Sequence, residues 1–186
     1  MEPAHPGTTD VPAAARQVHA ALLARGETVA AAESLTAGLF CAALAEVPGA
    51  SATLRGGLVV YATDLKATLA HVPADLLAAH GPVSHETAAA LAVGVREACA
   101  ADWGVGLTGV AGPGPVDGHG PGRVFVSVAG ADGARVEQLD LTGGRAAIRA
   151  QSVECALALV LETLHAADLG ASSAVGNGGA SPGVTP

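Results

Sequence analysis

Apolar residues recur along the chain with two different spacings, and the change between them predicts alternating helices and strands. Over residues 12–25 the apolar positions are three or four residues apart, which predicts a helix that ends at Gly26. Residues 28–33 form instead a short, nearly continuous apolar run. A run of this length next to a glycine predicts a strand that is buried on both faces.

The same alternation continues through most of the chain. A second helix is predicted over residues 35–44, and Ser84 is expected to cap a later one. The further predicted strands are 57–62, 103–110, 123–129 and 134–141, and the further predicted helices are 63–66, 73–80, 86–100 and 145–167. Strands that alternate with helices predict an α/β fold. We expect a three-layer α/β/α single domain with a mixed sheet of about five strands.

The two ends of the chain differ in composition from its middle. Residues 1–11 are rich in proline, glycine and threonine, and we expect them to be flexible. Residues 168–186 are rich in glycine, serine and proline, and we expect a disordered tail. A length of 186 residues fits one domain, which we place at residues 12–167.

Charge and cysteine usage narrow the class of function. The net charge of −8 argues against binding to nucleic acid or to an anionic membrane, but a small phosphorylated ligand can still be held locally. The three cysteines are widely spaced and predict neither a disulfide framework nor a zinc site. No apolar run reaches the length of a membrane-spanning helix. We therefore expect a cytoplasmic protein.

The chain contains one lysine and one tyrosine, Lys66 and Tyr61, and they lie five residues apart. All other basic side chains are arginines, which stay charged, whereas a desolvated lysine can lose its proton and act as a base. The alternative is a lysine on a solvated helix with no chemical role. The neighbouring motifs favour the first interpretation.

A serine at the junction of the first strand and the next helix is the matching candidate nucleophile. Ser34 would lie at the sheet edge where α/β proteins place their ligands, and a second strand-to-helix turn would bring Lys66 to it. The N–H groups of residues 35–37 would be unpaired in a first helical turn and could stabilise an oxyanion. The alternative is that Ser34 or Thr36 only caps the helix.

Two glycine-rich segments have weaker functional meaning. Residues 104–109 match the dinucleotide-binding glycine pattern, but they lie inside a predicted strand and open no helix, so we reject that function. Residues 108–113 end the third strand in a loop that exposes backbone, which suits a close ligand or merely a tight turn. Arg145 and Arg149 open the last helix as a phosphate clamp or as a solvated start.

Five motifs together resemble the CinA C-terminal domain family over residues 12–166. They are 32–38 (AESLTAG), 56–61 (GGLVVY) with Lys66, 80–84 (HGPVS), 108–113 (TGVAGP) and 144–145 (GR). The resemblance implies a metal-independent nicotinamide mononucleotide deamidase, also called nicotinamide-nucleotide amidohydrolase. Such an enzyme needs no cofactor, serves NAD recycling in bacteria, and is expected here as a homo-oligomer.

The resemblance also implies a role for each matching residue. Ser34 would be the nucleophile, Lys66 its general base, and Tyr61 would orient the pair or the substrate amide. The residues implied to line the nucleotide site are Thr36, Gly38, Thr108, Gly109, Ala111 and Gly112, with Arg145 for the phosphate.

The chain departs from the family pattern at several positions. Leu35 and Ala37 stand where the family usually has cysteine and glycine, and residues 120–123 (GPGR) replace a Lys-Pro-Val-Gly stretch. His85 stands where the family has glutamate, with Glu86 one position later. These departures favour the alternative of a non-catalytic module that binds a nucleotide or a partner. A hydrolase of a different amide is a third possibility with the same chemistry.

Overall fold

The computed structural model describes residues 11–175 of the chain, and in this range it contains six α-helices and five strands. The helices are α1 (Val11–Arg25), α2 (Leu39–Ala45), α3 (Thr63–Thr68), α4 (Ala74–His80), α5 (His85–Ala98) and α6 (Arg145–Val175). The strands are β1 (Val29–Glu33), β2 (Leu54–Val59), β3 (Trp103–Gly109), β4 (Arg123–Gly130) and β5 (Gly133–Asp140). The predicted α/β fold with a mixed five-stranded sheet is confirmed.

The strands form one sheet in the order β2-β1-β3-β4-β5. The first three are parallel, whereas β4 and β5 run antiparallel as a hairpin at one side. Glu33 at the end of β1 is in register with Val59 on β2 and with Leu107 on β3. The carboxyl ends of the three parallel strands therefore meet at one edge of the sheet, and the segments that leave them lie side by side.

Helices cover both faces of the sheet. Val29 and Ala31 of β1 point into a core that is shared with α1, α2 and α6. Ala30 and Ala32 point to the other face, where they pack against α5 and the segments around α3 and α4. Successive side chains of a strand alternate between its faces, so a strand covered on both sides has to be apolar throughout. The three layers account for the continuous apolar run in the sequence.

The glycine pattern at residues 104–109 serves helix packing. A Cβ atom on Gly104 would collide with the carbonyl oxygen of Ala92, and one on Gly106 with that of Ala88. Both carbonyls belong to α5, which therefore lies directly on the backbone of β3. Because β3 is followed by a loop and by antiparallel β4, the pattern does not form a dinucleotide-binding turn.

Three predicted elements differ from the structure by three residues or more at a boundary. α2 begins at Leu39 instead of residue 35, and β2 covers residues 54–59 instead of 57–62, because it pairs with β1 from Leu54 onwards. α6 continues to Val175, so its end lies inside the predicted tail. Asp168 lies on this extension and accepts a hydrogen bond from Arg25 of α1, which fixes the extension to the rest of the domain. The remainder of the predicted tail and residues 1–10 lie outside the described residues.

Within residues 11–175, no helix is both long enough and apolar enough to cross a membrane.

Candidate active site

The segments that leave β1, β2 and β3 form a cleft at the carboxyl edge of the parallel strands. Ser34 directly follows β1, and Lys66 lies in the first two turns of α3, which follows β2. Thr108 and Gly109 end β3 and lead into the 110–122 loop. The register of the three strands places these segments next to each other, as the sequence predicted for the first two.

Lys66 is buried and directly bonded to Ser34. Its side chain is 1% exposed, and its Nζ donates a hydrogen bond of 3.1 Å to Ser34 Oγ. A second bond of 2.8 Å to the carbonyl oxygen of Val60 fixes the amine from the other side. Burial lowers the pKa of Lys66 from 10.5 to about 8, because the charged form is deprived of water. An appreciable fraction of the amine is therefore neutral near pH 8 and can accept the proton of the serine hydroxyl.

The segment after Ser34 is a turn and not the first turn of a helix. Ala37 and Gly38 have φ angles of 50° and 96°, which a helix does not allow. The N–H of Ala37 bonds to the carbonyl oxygen of Ser34 at 3.2 Å, so the expectation that it is free was wrong. The N–H groups of Leu35 and Thr36 make no hydrogen bond within residues 11–175.

Glu33 holds this turn and was missed by the sequence analysis. Its carboxylate is 1% exposed and accepts the N–H groups of Gly38 and Phe40 on Oε2 and that of Cys41 on Oε1, at 2.9 to 3.1 Å. These are donors that the start of α2 would otherwise leave unpaired. The available signal was an acidic residue at the end of an apolar strand, which is rarely buried without partners.

Arg149 on α6 also bonds this turn. Its Nε donates to the carbonyl oxygen of Leu35 at 2.9 Å, and a terminal nitrogen donates to that of Thr36 at 2.8 Å. The sequence suggested a phosphate clamp for this arginine, but in the structure these two guanidinium nitrogens bond backbone carbonyls. Thr36 itself is fully buried, and its hydroxyl has no hydrogen-bond partner among the described residues.

Tyr61 and Arg145 lie at the rim of the cleft. Tyr61 is 55% exposed, and its hydroxyl accepts a bond of 2.6 Å from Arg145, not from Lys66. Arg145 also donates to the carbonyl oxygen of Gly112 at 3.0 Å. The guanidinium therefore bridges two walls of the cleft, and Tyr61 contacts this bridge instead of the serine and lysine.

The cleft has a volume of about 220 Å³. Further residues line it besides Ser34, Tyr61, Lys66 and Leu35, and they include most of the predicted nucleotide site. They are Thr63, Pro82, Val83, Thr108, Gly109, Val110, Ala111, Gly112, Gly114, Val116 and Arg145. Thr36 and Gly38, which were also predicted, are not part of this lining. Thr108 donates its hydroxyl proton to the carbonyl oxygen of Pro82 at 2.6 Å.

A mixed sheet covered by helices on both faces, with a hydrogen-bonded serine–lysine pair in a cleft at its carboxyl edge, defines the chain as a small α/β domain. Residues 12–164 match the family model of the CinA C-terminal domain, which includes both residues of the pair. The chain belongs to the CinA C-terminal domain family, as the resemblance of its motifs predicted.

Relatives and solved structures agree with this assignment. A CinA-like protein of Frankia casuarinae is 47% identical over 143 residues, which are 77% of this chain and 33% of that protein. A CinA superfamily protein of Klebsiella pneumoniae has a TM-score of 0.82 at 30% identity, covering 84% of this chain and 99% of the other. A competence/damage inducible protein of Agrobacterium tumefaciens has a TM-score of 0.80 at 32% identity, covering 88% and 99%. The chain spans about a third of the length of the curated relatives it matches.

Proposed function

We propose that this domain hydrolyses the carboxamide of nicotinamide mononucleotide and releases nicotinate mononucleotide and ammonia. The observation that carries the proposal is the buried amine of Lys66, 3.1 Å from Ser34 Oγ. The lowered pKa of Lys66 supports its role as a base, and the hydrogen bond to Val60 fixes the position of the amine. A surface lysine would instead be protonated at neutral pH and could not take a proton.

The proposed reaction has two proton-coupled stages. Ser34 Oγ attacks the carboxamide carbon while neutral Lys66 accepts its proton, and a tetrahedral oxyanion forms. As the C–N bond breaks, the Lys66 ammonium returns the proton to the leaving nitrogen, and ammonia departs. A water molecule then attacks the acyl group on Ser34, with Lys66 again accepting a proton. The ester bond breaks, the proton returns to Ser34 Oγ, and nicotinate mononucleotide leaves.

The size of the cleft suggests which part of the substrate lies inside it and which part lies at its rim. Its volume of about 220 Å³ is below the roughly 300 Å³ at which clefts for drug-sized ligands begin. The nicotinamide ring would fill the inner part against the 108–112 backbone, and the ribose and phosphate would lie at the rim. Arg145 is the cation at this rim and is the proposed phosphate partner.

An ammonia-release assay with nicotinamide mononucleotide tests the proposal. Ser34→Ala and Lys66→Arg should each lower the rate of ammonia release at least about 10³-fold, because the loss of one member of a nucleophile–base pair costs nearly as much as the loss of both. Ser51→Ala changes an exposed serine outside the cleft and is the matched control, with the wild-type rate expected. Full activity of Lys66→Arg would refute the role of Lys66 as a base, because a guanidinium does not deprotonate.

The alternative of a non-catalytic nucleotide-binding module keeps one structural argument. Ala37 has a φ angle of 50°, a left-handed conformation that favours glycine, in the turn that follows the serine. A module of this kind would bind the nucleotide in calorimetry, release no ammonia, and bind equally well as Ser34→Ala. If the wild-type protein releases ammonia from other amides only, the third possibility, a different amidohydrolase, replaces both.

A further inference from the structure

In the turn that begins at Ser34, the carbonyl oxygens of three consecutive residues, Ser34, Leu35 and Thr36, each accept a hydrogen bond. The carbonyl of Ser34 accepts the N–H of Ala37, and those of Leu35 and Thr36 accept two nitrogens of the Arg149 guanidinium. Arg149 is not among the residues that line the cleft. Its bonds to the turn therefore act behind the serine and do not reach into the space where a substrate would lie.

This arrangement leaves two consecutive N–H groups without a partner. In a planar trans peptide the N–H points opposite to the C=O of the same unit. Where the carbonyls of Ser34 and Leu35 are tied back, the N–H groups of Leu35 and Thr36 therefore face away from those ties. Leu35 lines the cleft beside Ser34, and neither N–H bonds any residue in the described range. Consecutive free N–H groups form a concavity that binds anions.

We propose that Arg149 is a positioning residue for two oxyanion-binding donors at Ser34. Its bond to the Leu35 carbonyl holds the N–H of Thr36 in the same peptide unit. Its bond to the Thr36 carbonyl holds the N–H of Ala37, which bonds the Ser34 carbonyl and so fixes the N–H of Leu35. The proposal rests on the proposed function only in needing Ser34 as the nucleophile, whatever its substrate. Arginine suits this task because its rigid fork can hold two neighbouring carbonyls at once. A lysine ammonium also has several donors, but they share one nitrogen on a flexible stem and would hold the two carbonyls less rigidly.

A fluorophosphonate probe tests the arrangement without assuming the substrate. Ser34 Oγ forms a bond to phosphorus as the P–F bond breaks, Lys66 takes the hydroxyl proton, and fluoride leaves. The phosphoryl oxygen then occupies the place of the oxyanion. Intact-protein mass spectrometry gives the rate of labelling as a function of pH, and peptide mapping confirms that Ser34 carries the label.

The variants compared are Arg149→Met, Arg149→Lys and the matched control Arg96→Met. Arg96 also donates to a backbone carbonyl, that of Asp102 at 2.9 Å, but outside the cleft. Loss of an oxyanion donor typically costs 10²- to 10³-fold in rate, so labelling of Arg149→Met should be about 10²-fold slower. Arg149→Lys should recover about one tenth of the wild-type rate, since it keeps the positive charge and donors to the carbonyls but lacks the rigid fork. The control should label like the wild type.

The pH at which labelling is half-maximal separates positioning from general damage. It should be unchanged in both Arg149 variants, because Lys66 and its environment are untouched. Labelling of Arg149→Met at the wild-type rate, or a shifted midpoint, would overturn the proposal. If Arg149→Met does not fold, as judged by circular dichroism, Arg149→Lys decides in the same way.

The outcome for the wild-type protein separates this inference from the proposed function. Labelling of Ser34 without ammonia release from nicotinamide mononucleotide would reject the proposed substrate and leave the Arg149 comparison valid. Ammonia release together with equal labelling of the Arg149 variants would reject the inference alone. A wild-type protein that neither labels nor hydrolyses would reject both, because Ser34 would then be no nucleophile.

Discussion

Replacing Lys66 by methionine is expected to make the stability of the protein less dependent on pH. Burial lowers the pKa of Lys66 from 10.5 to about 8, and one pKa unit corresponds to about 1.4 kcal/mol. The charged amine therefore costs the folded state about 3 kcal/mol. Methionine fills a similar space without charge and loses the bonds to Ser34 and Val60, at about 1 kcal/mol each. At pH 7 the variant should be more stable by about 1 kcal/mol.

The sign of the pH dependence follows from the two protonation equilibria. The unfolded chain holds the Lys66 proton up to about pH 10.5, whereas the folded chain releases it near pH 8. Between these values the unfolded state binds more protons, so the free energy of unfolding of the wild type rises with pH. Below pH 8 the full cost is present, and above pH 10.5 it has vanished. The advantage of the variant should therefore fall by about 3 kcal/mol between pH 7 and pH 10.5, and become a disadvantage.

Urea unfolding followed by far-ultraviolet circular dichroism measures this difference. Both proteins are unfolded at a series of pH values from 7 to about 10.5, and the two free energies are subtracted at each pH. Other titrating groups are present in both proteins and largely cancel. A difference that stays constant over this range would refute the lowered pKa of Lys66, and with it the argument that Lys66 is a base at neutral pH.

Two further predictions concern the same site. The rate of the proposed hydrolysis should rise with pH to a plateau above about pH 8, because only the neutral form of Lys66 can accept the proton. At pH 6 about one hundredth of Lys66 is neutral, so the rate should be about one hundredth of the plateau. Initial rates across this range measure the profile, and equal rates at pH 6 and pH 8 would contradict it. Glu33→Gln should lower the free energy of unfolding by about 2 kcal/mol, because an amide nitrogen would face a backbone N–H of the turn. Glu46→Gln, at an exposed glutamate, is its control in urea unfolding, and an equal effect of both would show that the Glu33 carboxylate does not hold the turn.

The sequence was sufficient for the sheet and for the meeting of Ser34 with Lys66, because both depend on short-range patterns. β1 is apolar on both faces and can only be a central strand, which is visible in residues 28–33. Ser34 and Lys66 each follow a parallel strand, and parallel strands end at the same edge of a sheet. The burial of Lys66 is harder to predict from the sequence, because the short helix that carries it is largely exposed on either side of this residue.

The shape of the turn after Ser34 could not be predicted from the sequence. It is determined by a buried carboxylate, that of Glu33, and by a side chain distant in sequence, that of Arg149. Apolar spacing alone suggests that the helix continues back to residue 35. The Glu33 carboxylate instead accepts the N–H groups of residues 38–41, and the helix starts at Leu39. Arg149 bonds Leu35 across 114 positions of the chain, and no local pattern connects the two.

The three cations around the cleft illustrate why the chain has one lysine among its arginines. In the proposed reaction Lys66 has to lose a proton, and it is the buried cation of the three, where desolvation lowers its pKa. Arg149 must stay protonated to hold two carbonyl groups with one rigid fork. Arg145, the proposed phosphate partner, lies at the exposed rim and keeps a permanent positive charge in a protein whose net charge is −8. An exchange of lysine and arginine between the buried position and either of the others would therefore remove a specific property and leave the total charge unchanged.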